Sequence, residues 1–400
     1  MNYIKEPEKT VPVLQKYETV VAGGGIAGIS AALAAARNGS KTLLIEREFM
    51  LGGLATAGLV TIYLPLCDGT GRQVSFGIAE ELLRLSVRHG YEGKYCPEWL
   101  NEGTREERRK KRFEVQYNPY VFAIEVEQLL KSSGVTILYG TAACGALTEN
   151  GKITHLILEN KSGRSAVELK TVIDTTGDAD ICKLSGENTV VFAQGNVPAA
   201  WSYVTENGKF NLKQLGACDI PDSQKTKEQL NADRSSLRFT GLDADELTRL
   251  VQYSHKTLLD RFLKGGGVSP ERTISSIATI PQIRMTRRID GVFTQNDGDI
   301  SREHTDSVGL FSDWRKAGSV YELPFSTLYG KKISNLITAG RCISVTDSMW
   351  DITRVIPVCA VSGQAAGTAA AITDNFADTD IKRLQKLLKS TGVVLHEKDL

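Results

Sequence analysis

Thr19-Val20-Val21-Ala22-Gly23-Gly24-Gly25-Ile26-Ala27-Gly28-Ile29-Ser30 runs from a β-branched apolar segment through a glycine turn into an alanine-rich segment. Its glycines at 23, 25 and 28 have the G-x-G-x-x-G spacing, and each has a separate physical task. The first permits a tight turn, the second lets a pyrophosphate approach the backbone, and the third lets the helix pack closely on the strand. The helix over Ala31–Ala36 is expected to point its positive end at the phosphates and to stop at Gly39. A second strand, Lys41-Thr42-Leu43-Leu44-Ile45, delivers Glu46 about 20 residues past the glycines, where an acid accepts ribose hydroxyl hydrogen bonds. A glycine turn of no function would not need the strand, the helix and the acid together, so the stretch reads as a dinucleotide-binding βαβ unit.

Working outward, Gly52-Gly53-Leu54-Ala55-Thr56-Ala57-Gly58 is rich enough in small residues that a backbone or flat ligand is expected close to it. Residues 61–113 lose periodicity and read as an insertion, with an amphipathic helix near Ile78–His89. Arg105–Arg112 is a mixed charge run, read as a solvated helix face. A helical pattern from Pro119 to Ser132 and a strand at Val135–Tyr139 return the chain to the sheet. Three strands follow, Ala142–Thr148, Lys152–Glu159 and Ser165–Leu169, joined at Asn150-Gly151 and Ser162-Gly163 as an antiparallel meander. A separate strand, Thr171–Asp174, then enters the small acidic turn Thr175-Thr176-Gly177-Asp178-Ala179-Asp180, suited to a cofactor at the carboxyl edge of a parallel sheet.

Residues 185–330 lose the strand and helix alternation, apart from a helix near Ala244–Leu263, and are expected to form a substrate domain. Within them Arg284 and Arg287 sit three apart in a β-rich apolar setting. Outward, they decorate a surface strand; inward, an arginine would bind a carboxylate or stabilise a developing oxyanion. The first pattern then returns, with a strand at Leu336–Ala339 ending in Gly340-Arg341, and a helix after Pro357 whose small residues at 363, 367 and 370 or 371 share a face. That face allows close packing on the sheet or on a cofactor. A last amphipathic helix is expected over Asp380–Ser390.

Four hundred residues with 41% hydrophobic content support two or three domains, and a formal charge of +1 disfavours nucleic acid or an anionic membrane as main partner. No signal-type apolar core and no run of 18 apolar residues occur, so a cytoplasmic protein is expected. The seven cysteines include no C-x-x-C pair and the five histidines no ligand spacing, so no metal site is expected. Cys67 reads either as a reactive thiol near the glycine-rich region or as a buried free cysteine.

Taken together, Gly23–Gly28 with Glu46, Gly52–Thr56, Ile173–Asp180, Ala339–Ser344, Arg354–Pro357 and Gly363–Gly367 resemble the FAD-dependent oxidoreductases of the glutathione-reductase-like flavoprotein superfamily, and more narrowly a bacterial FAD-dependent oxidoreductase family. The resemblance implies an α/β fold: a Rossmann-like FAD-binding domain with a β-meander, discontinuous over 17–60, 114–184 and 331–400. The 61–113 insertion and an inserted α+β substrate domain over 185–330 complete it. It implies FAD contacts at Gly23, Gly25, Ile26, Ala27, Gly28, Glu46 and Arg47, then at Gly53, Leu54, Ala55 and Thr56. Further contacts are implied at Ala143, Thr176, Gly177, Asp178, Gly340, Arg341, Pro357, Gly363 and Gln364. The pattern of that family carries histidines between the Ala-Gly-Arg strand and the last flavin helix. Thr346–Thr353 has none here, so a histidine base does not transfer; Asp347 or Asp351 stands as a base, or each is a plain loop acid.

The activity expected is hydride transfer between a small organic substrate and flavin N5, with Arg284, Arg287 and Arg354 lining or supporting the site. A flavoprotein without net redox turnover, such as an isomerase, a cyclase or a flavin-carrying subunit, is the alternative. A single G-x-G-x-x-G supports no second domain for a nicotinamide, which leaves the electron acceptor open.

Overall fold

The computed structural model describes residues 3–216, 221–232 and 237–400; Cys218 lies outside them. The apolar segment around Val20 and Val21 forms β1 (Tyr17–Ala22), the glycine turn follows, and the alanine run forms α1 (Ile26–Arg37). β2 (Thr42–Ile45) pairs parallel with β1, and β3 (Thr136–Leu138) pairs parallel with β2. Helix α2 (Ile78–Ser86) stands in the insertion and α3 (Pro119–Ser132) precedes β3. The Arg105–Lys110 run is a short helix with no buried residue, a solvated face closed by a Thr104–Glu107 capping box.

The meander is β4 (Ala142–Glu149), β5 (Lys152–Asn160) and β6 (Gly163–Asp174). Here the structure corrects the sequence reading: Ser165–Leu169 and Thr171–Asp174 are one continuous strand. Its first half pairs antiparallel with β5, and its second half pairs parallel with β1. Lys170 was read as a break, but it is an exposed position whose ammonium pairs with Glu18 on β1, so a charge at this point costs the strand nothing. One strand thereby carries the meander and delivers the 175–180 turn beside Gly23.

Beyond the sheet come the short helix α4 (Asp180–Ser185) and an antiparallel sheet of β7 (Ala200–Glu206), β8 (Lys209–Leu215) and β9 (Arg272–Ile277). The long helix α5 (Ala244–Lys264) starts on an Asp243 cap. β10 (Leu336–Thr338) then joins β6 in parallel, completing a seven-stranded sheet. The stretch expected to be a loop at Thr346–Thr353 is a helix, α6 (Asp347–Thr353), with Ser348 through Thr353 all buried. α7 (Ile356–Ala370) follows at once and α8 (Ile381–Ser390) closes the chain on an Asp380 cap.

α7 is buried along its whole length, which its alanine and glycine content permits. Its small-residue face lies on α1, rather than on the sheet or a cofactor. A Cβ on Gly363 would stand 2.3 Å from the Ala27 carbonyl oxygen, and one on Gly367 would stand 2.1 Å from that of Ala31. Two pairs spaced by four residues thus bring the helix backbones into contact and fix where both helices begin. Among the described residues, no helix is long and apolar enough to cross a membrane.

Candidate functional site

β1 ends in Gly23, whose φ of +104° and whose distance of 2.6 Å from a built Cβ to the Thr175 carbonyl oxygen both demand glycine. Thr175 Oγ1 donates to the carbonyls of Ala22 and Gly23, at 2.9 and 2.7 Å, and so locks the 175–180 turn to the glycine turn. Gly28 lets α1 approach: its Cβ would lie 1.8 Å from the Gly23 carbonyl oxygen. Gly25 differs. Its backbone is extended, and a Cβ there would meet no protein atom within 4 Å.

That open side faces a cleft of about 440 Å³. It is lined by Gly23, Gly25, Ile26, Ala27, Glu46 and Arg47, and by Gly53, Leu54, Ala55, Ala143, Thr176, Gly177, Asp178, Gly340 and Arg341. The same cleft is also lined by Trp201, Ile283, Arg284, Trp314 and Arg354. Five of the sequence-stated positions stand outside the lining. Gly28 and Gly363 are spent on packing, Thr56 Oγ1 donates to the Leu51 carbonyl, and Pro357 sits in the first turn of α7. Gln364 accepts from Ile78 N at 2.8 Å and donates to Thr391 at 3.0 Å, tying α7 to α2 and α8.

The three arginines separate. Arg287 is also outside the lining: its Nε donates to the Asp178 carbonyl at 2.9 Å and its Nη2 to Asp180 at 2.7 Å, a clamp on the acidic turn. Arg284 is inward, 2% exposed, with its guanidinium carbon 5.6 Å from the Trp201 ring centre. Arg354 reaches the cleft from the end of α6, with Nη2 donating to Asp351. Neither Asp347 nor Asp351 lines the cleft. Asp351 is fully buried and shared by Arg354 and Arg315, and burial raises the Asp347 carboxyl against the opposing pull of Arg288.

Glu46 is buried, and burial raises its carboxyl; backbone N–H groups of Glu48 and Gly24 oppose that rise at 2.8 and 2.6 Å. Burial pushes the cleft-lining Cys359 thiol up to about 12, and burial likewise raises Cys67, which is therefore an inert buried thiol. Asp180 is pushed up to about 6, by burial first and then by Asp178 and Asp174. A folded-state value above the ordinary 3.8 adds stability below pH 3.8 that is lost as pH rises through about 6. Thermal melts should therefore show Asp180→Asn gaining on wild type between pH 4 and pH 7, and a constant difference would refute the shift.

Two features test the cleft for a cofactor. α1 and α7 both begin at it with no side-chain cap, so their first N–H groups and positive dipole ends are left to whatever binds. The space in front of Gly25 is open to a diphosphate, which fits an elongated dinucleotide. Comparison with known proteins agrees, since the family described as FAD dependent oxidoreductase matches over residues 18–200 and 194–388. The chain belongs to the FAD-dependent oxidoreductase family. A geranylgeranyl bacteriochlorophyll reductase-like protein of Thermoplasma acidophilum has a TM-score of 0.50 at 16% identity, over 95% of this chain and 84% of that one. That likeness shows the fold alone. A thioredoxin reductase of Ureaplasma parvum serovar 3 (strain ATCC 700970) is 33% identical over 76 residues, 19% of this chain and 25% of that protein. The match thus spans about a quarter of this curated relative.

In this FAD-dependent oxidoreductase the cleft has walls that sequence reading missed. Val60, Ile62, Leu64, Trp201, Gln214, Leu247 and Trp314 come from five separated segments, and no local spacing marks them. They meet because segments distant in sequence converge on one cleft.

Proposed function

We propose that the protein transfers a hydride between a small organic substrate and FAD, with FAD along the cleft and substrate at its Trp201–Arg284–Arg354 end. The continuity of one cleft from the Gly23–Gly25 turn to that end carries this reading. When bound, FAD supplies the two-electron chemistry at its ring. The chain supplies the rest. Glu46 would accept from the ribose, the α1 N-terminus would hold the diphosphate, and Gly53–Ala55 and Gly177–Asp178 would flank its path. The uncapped α7 N-terminus would hold the ring of a bound FAD and would supply a positive dipole end beside it, and Val60, Ile62, Leu64, Trp201 and Trp314 would keep water from the reacting end.

Residues 185–330 act as the substrate domain, because they contribute Trp201, Gln214, Leu247, Arg284 and Trp314 to that end. The electron acceptor uses the same face, since the chain has one G-x-G-x-x-G and so offers no second nicotinamide-binding motif.

Anaerobic addition of candidate substrates should bleach the flavin absorption near 450 nm in stoichiometric amount. An oxidised spectrum unchanged by a compound that the enzyme demonstrably converts would instead establish catalysis without net redox. Glu46→Gln should weaken FAD binding roughly tenfold, about 1.4 kcal/mol, because an amide –NH2 cannot accept from both backbone donors and the ribose. Fluorescence titration of the apoprotein with FAD measures it, and unchanged affinity would remove Glu46 from the site.

A further inference from the structure

The Arg354 end of the cleft has a charge arrangement that points to the substrate's chemical class. Arg354 ends α6 and its side chain is only 9% exposed, yet it lines the cleft. Its Nη2 donates to Asp351, but its Nε is buried with no hydrogen-bond partner, and Nη1 makes none among the described residues. A buried guanidinium with donors unmet by protein is costly unless something else accepts from them.

Around Asp351, charges of opposite sign pair off. Asp351 also accepts from Arg315 at 3.4 Å, and Arg315 in turn holds Asp313 through Nε at 3.0 Å and Nη2 at 3.1 Å. Asp351 thus fixes the Arg354 fork in place; Arg354, Arg315, Asp351 and Asp313 sum to zero formal charge, and Arg284 in the same cleft leaves one net positive charge, which a dianion such as a phosphate monoester would exceed. A single carboxylate matches that charge and satisfies one fork.

The walls set the body to which the carboxylate is attached. The Trp314 indole donates to the Asp351 carbonyl at 3.1 Å, which fixes its ring beside the Arg354 anchor. Trp201 is fixed by its own indole bond to Gly216 at 2.8 Å, and Leu64 and Pro281 add apolar surface. Rings held in place favour a flat apolar body, since they need no ordering on binding.

We propose that this end of the cleft binds a flat, aromatic or conjugated monocarboxylic acid, with Arg354 holding its carboxylate. The inference rests on the oxidoreductase reading for where substrate sits, and binding alone can test it. The FAD-loaded, oxidised protein is titrated with benzoate and with its neutral isostere benzamide, following the shift of the flavin absorption bands and the heat of binding. Benzoate should bind at least tenfold tighter than benzamide. Arg354→Gln should abolish that preference while retaining FAD, and Arg354→Lys should keep part of it. Equal binding of the two probes, no benzoate binding, or an undiminished preference in Arg354→Gln would overturn the proposal. Should both variants fail to fold, the contrast between the two probes on wild type decides. Because these shifts are read without bleaching, a loss of the redox reading leaves this result standing, and a lost carboxylate preference leaves the redox reading intact.

Discussion

Gly25→Val is expected to fold and to leave purification without flavin. Two of the three motif glycines cannot make this separation. A side chain at Gly23 would strain a φ of +104° and strike the Thr175 carbonyl, and one at Gly28 would overlap the Gly23 carbonyl oxygen at 1.8 Å. Either variant loses the fold and the cofactor together, so neither says what the turn binds. Gly25 has φ −68° and ψ −178°, which any residue adopts, and its missing side chain leaves open cleft. Valine there costs α1 about 1 kcal/mol as a poorer N-cap than glycine. The two methyl groups would occupy the space assigned to the diphosphate, whose approach needs bare backbone. Far-ultraviolet circular dichroism should match wild type, while flavin per polypeptide falls at least tenfold. A folded Gly25→Val that stays yellow with full FAD occupancy would move the diphosphate elsewhere.

Much of this arrangement was legible in the chain because it rests on local rules. The β1–turn–α1 unit, Glu46 after β2, the hairpin turns at Asn150 and Ser162 and the helix after Pro357 each follow from residues within one element. The failures have physical reasons too. β6 reads in the sequence as two strands on either side of Lys170, although an exposed ammonium paired with Glu18 is compatible with one continuous strand. Arg284 and Arg287 could not be told apart, since the period-two alternation of a strand does not apply to an irregular segment. Only Arg287–Ile289 is a strand, and the partners Asp178 and Asp180 that claim Arg287 lie over a hundred residues away. Trp201 and Trp314 were invisible as cleft residues for the same reason: their position is set by how distant segments close, not by their neighbours in sequence.

Gly367→Ala should lower stability by about 2 kcal/mol or more, against the sign that helix propensity gives. In an open helix the change from glycine to alanine stabilises by about 0.5–1 kcal/mol. Here the new methyl would stand 2.1 Å from the Ala31 carbonyl oxygen and 2.8 Å from its carbonyl carbon, both backbone atoms that no rotamer change can move. Relief requires α1 and α7 to separate, and the consequence is not confined to packing. Both helices begin at the cleft, so pushing them apart at Ala31 and Gly367 also displaces the N-termini proposed to hold the diphosphate and the ring of FAD. The variant should therefore melt earlier as apoprotein and bind FAD more weakly, although residue 367 does not line the cleft. Gly25→Ala is the control, because its methyl enters open space: its apoprotein should melt close to wild type while its FAD affinity falls. If Gly367→Ala were to melt higher than wild type, the α1–α7 contact would have to be looser than these distances describe. The small-residue face of α7 would then be available to something other than α1.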